Sequence, residues 1–508
     1  MAGQSFFDSD HFDSGRVVLP EIELVRGLGK ATDVVIGIAG SPENSSLVGA
    51  SSELKSRAAK AGISLNQLIS EGVGGKVDQV AELDLPGLRV VGVGLGADLD
   101  LDPEDLRRAA GVGVRRILSR QGTTKRRILI SMDANTTAQV RAVAEGALLA
   151  SYRFRKLTRE PAAPGAESIG ILGSSRSCQQ GIAAARITSR AVCVARDWTN
   201  LPPNLLGPND LAEQARGYLK DAKIEFEVLD ERALEKAGFG GILAVGSGSA
   251  RPPRLVRLDY RPRGAKKHLT LVGKGITYDS GGYNLKTAES LKTMKCDMAG
   301  AAAVIAATRA IADLGLTVHV TAYAPLAESM ISGSAYRPSD VLRIFDGTTV
   351  ENIDSDCEGR IVLADALARA NADHPDMIVD IATLTGACMV ALGTQVAGLL
   401  ASDDEAADRL LDAAETAGEE FWQLPITAHA RKQLPSEVAD LRSKADRYGG
   451  ALFAGAFLQH FVDEKIAWAH LDIAGPAWNA GTPHDYVPAQ ATGMGIRTLI
   501  ALATLMSD

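Results

Sequence analysis

The chain has 508 residues, of which 46% are hydrophobic, and it carries a formal net charge of −8. That length exceeds one ordinary domain and predicts two or three, each with enough apolar side chains for its own core. The acidic balance, with no long run of one sign, argues against a nucleic-acid surface, which needs a basic patch.

Residues 1–30 read as loosely structured. Their polar, acidic opening has neither the basic start nor the apolar core of a secretory signal. Beyond them, apolar runs alternate with helical segments. VVIGIA (34–39), LRVVGVGLG (88–96), RRILIS (126–131) and ESIGILG (167–173) read as strands. Lys125, Arg126 and Arg127 read as a solvated loop entering the third of these. Segments 102–118 and 137–154 read as helices, the first with Asp102 as N-cap and Pro103 at the first helical position. This alternation predicts a mostly parallel sheet covered on both faces. Gly92, Gly94 and Gly96 lack the third glycine of a dinucleotide loop and fit a tight turn at a strand end.

A long helix at 179–198 leads into a sharp loop at Asn200, Pro202, Pro203 and Asn204. This divides the chain into a smaller N-terminal α/β domain (1–177), a linking helix (178–200) and a larger C-terminal α/β domain (201–508). In the larger domain, segments 223–230, 241–246, 254–261, 268–275, 318–326, 376–384 and 468–475 read as strands of a mixed central sheet. Segments 299–315, 360–372 and 405–418 read as helices. The stretch 381–401 carries no charge and has the length of a membrane span, but polar and glycine residues from Thr383 to Gly398 interrupt it. It reads as a buried strand, a turn and a second strand, so no membrane association is expected.

Chemistry concentrates in two stretches of this domain. NIDSDCEGR (352–360) places Asp354, Asp356, Glu358 and Arg360 at alternate positions, which share a face in an extended segment. LVGKGITYDSGGYNLKTAESLKTMKCD (271–297) supplies Lys274, Asp279, Lys286 and Asp297, in or beside Gly-rich or turn-prone runs and past a predicted strand end, where sites form in open α/β sheets. Clustered carboxylates repel one another unless cations hold them. Asp279, Asp297, Asp356 and Glu358 exceed what one small ion needs, which points to two ions sharing ligands. Oxygen-rich sets of this kind suit Mn²⁺, Mg²⁺ and Zn²⁺. Lys274 would ligate only as a neutral amine, its pKa depressed by a neighbouring ion. Lys286 is placed to stabilise a developing oxyanion, and Arg360 to hold an anion.

Each residue singly also fits a plainer role. Asp279-Ser280-Gly281-Gly282 makes a turn, and Asp297 an N-cap for the helix after it. Lys274 stands near glycines, but the phosphate-loop pattern is absent. The conjunction carries the metal reading. His470 reads as a satisfied core residue, and neither HExxH nor GxSxG occurs. Cys178, Cys193, Cys296, Cys357 and Cys388 are scattered and form no CxxC pair, which fits a reducing, cytoplasmic setting. Cys357, between two proposed ligands, is expected to face away from them and pack.

With these motifs in place, the sequence resembles the leucyl (cytosol) aminopeptidase family of two-metal exopeptidases. The likeness covers most of 179–500. Besides 272–286 and 354–360, it is carried by AVGSGSARPPRL (244–255), MKCDMAGAAAV (294–304), SGSAYRPSDVLR (332–343), IATLTGA (381–387) and WAHLDIAG (468–475). The resemblance implies that Lys274, Asp279, Asp297 and Glu358 hold a tightly bound ion. Asp279, Asp356 and Glu358 would hold an exchangeable one, Mn²⁺ or Zn²⁺ at either position. It implies Lys286 as the electrophilic lysine and Arg360 as the arginine that binds bicarbonate, the general base. A metal-bridging water would attack the first peptide carbonyl of a substrate with a free N-terminus. Met294, Thr383, Gly386 and Ala474 would line an apolar pocket suited to leucine-like side chains. The resemblance also implies a homohexamer, with the smaller N-terminal domain serving assembly and access. Asp354 and Ser355 depart from the usual Asn and Thr, Cys296 and Cys357 from a common Phe and Ala, and DRYGG (446–450) from GRPGG; Pro476 also follows the strand at 468–475.

Two other readings compete. Some relatives of the family double as DNA-binding regulators, a role the net charge and the lack of a basic stripe speak against; a gel shift with its salt dependence separates it. A low-turnover scaffold that retains the metals is separated by an activity assay.

Overall fold

The computed structural model describes residues 17–507, apart from 42–43, 71–74, 98–100, 121–124, 159–164 and 174. The N-terminal stretch read against the secretory pattern, residues 1–15, lies outside the described residues. The chain forms two compact units. One comprises Val18–Cys193 with Ala480–Ala489, and the other Val194–Asn479 with the C-terminal stretch from Gln490.

The first unit is built on a seven-stranded sheet. Strands Glu21–Val25, Ala166–Leu172, Arg126–Ser131, Asp33–Ser41 and Leu88–Gly96 run parallel in that spatial order. Val80–Leu85 closes one edge antiparallel, and Asn44–Val48 pairs antiparallel with the end of Asp33–Ser41. Val34, Val35 and Ile36 are fully buried because both faces of the sheet are covered. Asp102 accepts from the Asp105 amide at 2.9 Å and starts the helix Pro103–Ser119 with proline in its first turn. Within 1–30, the described residues 17–30 hold more structure than the sequence reading gave them. Glu21–Val25 is an edge strand that alternates charged and apolar side chains and buries Ile22.

The second unit holds a nine-stranded mixed sheet. Its parallel centre runs His319–Ser329, His268–Gly273, Met377–Ala382, Ala467–Asp472. Arg254–Tyr260 and Ala397–Ala401 flank this centre antiparallel. Gly275–Asp279 continues past His268–Gly273 and pairs parallel with the end of His319–Ser329. Helix Glu358–Ala370 packs Ile361, Leu363 and Leu367 into a core with Val272, Tyr323, Ile378 and Trp468. Each such side chain removed from water contributes about 1.5–3 kcal/mol.

Two segments differ from the sequence reading. Residues 241–246 fall in a helix, Gly240–Gly246, not a strand. A short apolar run has no decisive period, and here the distant Asp365 carboxylate decides it, accepting the Ile242 amide at 2.7 Å in the first turn. Between strands Met377–Ala382 and Ala397–Ala401, the expected turn is the helix Gly386–Leu392, capped by Thr385, whose hydroxyl accepts from the Cys388 amide at 3.0 Å. Among the described residues no helix is long and apolar enough to cross a membrane.

Candidate metal centre

The carboxyl ends of three adjacent parallel strands open onto one cavity of about 610 Å³. Lys274 leaves His268–Gly273, Thr383 leaves Met377–Ala382, and Ala474 lies two residues beyond Ala467–Asp472. Asp279, Asp297, Asp356 and Glu358 line the same cavity, as do Lys286, Met294, Arg360 and Gly386. The structure thus brings together every site residue named from the sequence.

The DSGG segment does form a turn, with Gly281 and Gly282 at φ 84° and 61°. One carboxylate oxygen of Asp279 accepts the Gly281 amide at 2.7 Å, and the other meets Lys286 Nζ at 2.8 Å. The turn and the site are one feature here. Asp297 does not use its side chain as an N-cap for the helix after it. Its Oδ1 accepts from Thr383 Oγ1 at 2.8 Å and from Lys274 Nζ at 2.9 Å.

The 354–360 segment is not extended. Ser355–Cys357 is a 3₁₀ turn that runs into the helix Glu358–Ala370. Asp354 starts it by accepting the Asp356 amide at 2.9 Å. Asp356 and Glu358 still converge, but through a tight turn. Asp279, Asp356 and Glu358 each offer an oxygen, all within 4.8 Å of one another. The same turn explains why Cys357 lines the cavity instead of facing away, since strand alternation does not apply to it. Burial pushes the Cys357 thiol up, and that of Cys296 up to about 12, so both stay protonated packing groups.

Two residues stitch the turns together, and the sequence reading gave them no part. Ser355 Oγ donates to the Gly281 carbonyl at 2.7 Å, and the Ser355 amide donates to Asn284 Oδ1 at 3.0 Å. The Asn284 amide returns a bond to Ser355 Oγ at 2.9 Å, while the Tyr336 hydroxyl donates to the Ser355 carbonyl at 2.8 Å. The NLK and DSD spacings contained these residues, but only three-dimensional proximity reveals the stitch. Gly359 is equally specific. A Cβ there would lie 2.6 Å from Lys274 Nζ, so only glycine lets the lysine pass.

Lys274 is 3% exposed and donates to Asp297, Glu358 and the Thr383 carbonyl, each at 2.9 Å. Burial alone would lower its pKa, but the charges of Asp297, Glu358 and Asp279 overcome that and raise it. Lys286 bonds Asp279 at 2.8 Å and Asp356 at 2.6 Å, and its pKa is raised in the same way against burial. Burial and the neighbouring Glu358 push Asp279 and Asp356 above the usual carboxylate range. Burial, opposed by Lys274, brings Asp297 to about 6. Two ammonium groups therefore serve four crowded carboxyls. That is too few: Asp297 Oδ2 and Glu358 Oε2 are buried without any hydrogen-bond partner. Orphaned carboxylate oxygens in a donor set of four carboxylates and one amine fit divalent cations.

Arg360 donates through Nη1 to the Ser443 carbonyl at 2.6 Å, lies over the Phe453 ring, and keeps a buried Nε without a partner. His470 is only half satisfied, with Nδ1 2.6 Å from Asp380 and Nε2 buried without a partner.

Residues 193–500 match the catalytic domain of the cytosol aminopeptidase family, and residues 35–161 match its N-terminal domain. The chain belongs to the cytosol aminopeptidase family. A probable cytosol aminopeptidase of Cutibacterium acnes is 48% identical over 491 residues, covering 96% of each chain. One from Streptomyces coelicolor is 47% identical over 461 residues, covering 85% of this chain and 88% of its own. Among solved structures, the bottromycin maturation enzyme BotP in complex with Mn superposes with a TM-score of 0.82 at 37% identity, covering 94% of this chain and 100% of that one. This chain is thus an aminopeptidase of the metal-dependent kind, a hydrolase, and the orphaned oxygens above are suited to divalent metal.

Proposed function

We propose that this aminopeptidase removes leucine-like N-terminal residues from peptides with a free amine, using two divalent ions. Asp279, Asp297 and Glu358 would hold the tighter ion, joined by Lys274 as a neutral amine once the arriving cation has displaced the proton that the carboxylates hold there in the ion-free site. Asp279, Asp356 and Glu358 would hold the exchangeable one. The observation that supports this most is the pair of buried, partnerless oxygens on Asp297 and Glu358 beside carboxylates that converge within 4.8 Å. When bound, Mn²⁺ or Zn²⁺ supplies Lewis acidity that activates water and polarises the carbonyl.

The chain's own groups do the rest. Asp279 and Asp356 hold the Lys286 ammonium in the cavity wall, where it would stabilise the oxyanion. Arg360 is fixed by Ser443 and Phe453 and keeps an Nε–H for a small anion; bicarbonate is the anion we assign there, as base. Met294, Thr383, Gly386 and Ala474 shape the pocket for the first side chain, with Thr383 pinned by its bond to Asp297. A cytoplasmic homohexamer, in which the smaller N-terminal domain (1–177) serves assembly and access, completes the reading; sedimentation velocity tests the assembly.

The deciding experiment strips the protein with chelator, restores Mn²⁺ or Zn²⁺, and follows hydrolysis of Leu-p-nitroanilide and its N-acetyl analogue. The expected result is metal-restored cleavage of the free-amine substrate only. No cleavage across a panel of N-terminal residues, with two ions per subunit bound, overturns it.

A further inference from the structure

Beyond the proposed ligands and Lys286, one loop contributes two more cations to the cavity wall, Lys444 and Arg447. Lys444 is salt-bridged to Asp354, whose other oxygen accepts the Asp356 amide at 2.9 Å. Its ammonium is thereby registered to the metal centre. Arg447 is exposed and makes no hydrogen bond or ion pair with any described residue. Its neighbour Asp446 is engaged elsewhere, accepting from Gln433 at 3.3 Å. The loop then turns through Gly449, at φ 67°, and runs beside the first side-chain pocket. A Cβ on Gly450 would meet the Ala387 Cβ at 3.2 Å, next to Gly386. Of the other cations on the wall, Lys274 and Lys286 are committed to carboxylates, and Arg360 is held by the Ser443 carbonyl with its remaining Nε–H buried and already assigned to the small anion.

We propose that Arg447, three residues after Lys444 on the same loop, is a carboxylate-reading site of the substrate cavity, so that peptides bearing a carboxylate close to the scissile bond are favoured. This rests on the peptidase reading above. A guanidinium presents its donors as a planar fork that matches a carboxylate in two parallel bonds. Being solvated and uncommitted, Arg447 breaks no existing bond to receive one. The carboxylate can be the C-terminus of a dipeptide or the side chain of an acidic second residue.

The test compares kcat/KM of the Mn²⁺-loaded full chain and Arg447→Gln on two substrate pairs, Leu-Gly with Leu-Gly amide, and Leu-Glu amide with Leu-Gln amide. We expect a preference of about five- to tenfold for the carboxylate-bearing member of at least one pair. Arg447→Gln should abolish it while leaving the neutral substrates within about twofold, and added salt should weaken it. A preference in the first pair identifies the terminal carboxylate; one in the second identifies the side chain. Equal rates within both pairs, or a preference that survives Arg447→Gln, overturns the proposal. If the wild type cleaves none of the four, calorimetric binding of the same peptides still decides. An Arg447-dependent preference keeps the carboxylate site and removes only the peptidase reading; equal binding removes both.

Discussion

The two ends of the central parallel strands both carry charge, and they balance it differently. Toward the amino ends, His268 and His319 stack with ring centroids 3.7 Å apart, and His319 Nε2 lies 3.0 Å from Asp259. Asp259 also takes Arg257 at 2.9 Å and Arg261 at 3.4 Å, while Asp373 takes Arg369 at 3.2 Å and the Tyr323 hydroxyl. Every carboxylate there has two or more donors. At the carboxyl ends, four carboxyls share two ammonium groups and two oxygens stay orphaned. The scaffold is the same, so the difference lies in the arithmetic of charge. A balanced cluster is architecture, and a cluster short of cations marks a place where cations bind.

The comparison breaks most visibly at Asp279, the proposed shared ligand. Asp279→Ala is expected to lose both ions together and to lower kcat/KM by at least ~10³. Metal analysis showing two ions retained per subunit would contradict the bridging assignment. Lys286→Ala comes next, with a loss of about 10²–10³ in kcat at unchanged metal content. Near-normal turnover there would remove the oxyanion role. At the opposite end the expectation inverts. Asp259→Asn leaves Arg257 and His319 short of their acceptor and should cost about 1–3 kcal/mol in a denaturant melt, with kcat/KM within about twofold. A selective loss of activity in that variant would mean that the amino-end cluster is not merely architectural.

Much of this was legible in the sequence because the site is local. Lys274, Asp279 and Lys286 lie within thirteen residues, Asp356 to Arg360 within five, and alternating strands and helices put strand ends beside one another. The fold was legible where β-branched runs were long and buried, as at Asp33–Ser41. It was illegible where a distant partner decides the conformation. Asp365 makes a helix of 240–246. Asp354 bends the 354–358 segment into a turn, whereas spacing alone fitted a strand. Nor does spacing reveal that Ser355 and Asn284 hold the two ligand loops together, or that a Cβ at Gly359 would block Lys274. Contacts such as these two, between residues 71 and 85 apart in the chain, leave no periodic trace.

The smallest effect expected concerns pH, and it sharpens the contrast further. Burial, and then the stacked His319, lowers the pKa of His268 to about 4. The unfolded chain, with an ordinary imidazole near 6.5, binds the proton more readily. A His whose folded pKa is depressed contributes stability that is present above about pH 6.5 and is lost as pH falls toward 4. His268→Gln keeps a side chain able to bond Thr321, which His268 Nε2 meets at 2.9 Å, but removes that titration. The variant should therefore sit slightly below the wild type in melting temperature at pH 8 and close the gap, or pass it, by pH 5. Parallel pH profiles would show that the stacked pair does not resist protonation, leaving the amino-end cluster held by its arginines alone.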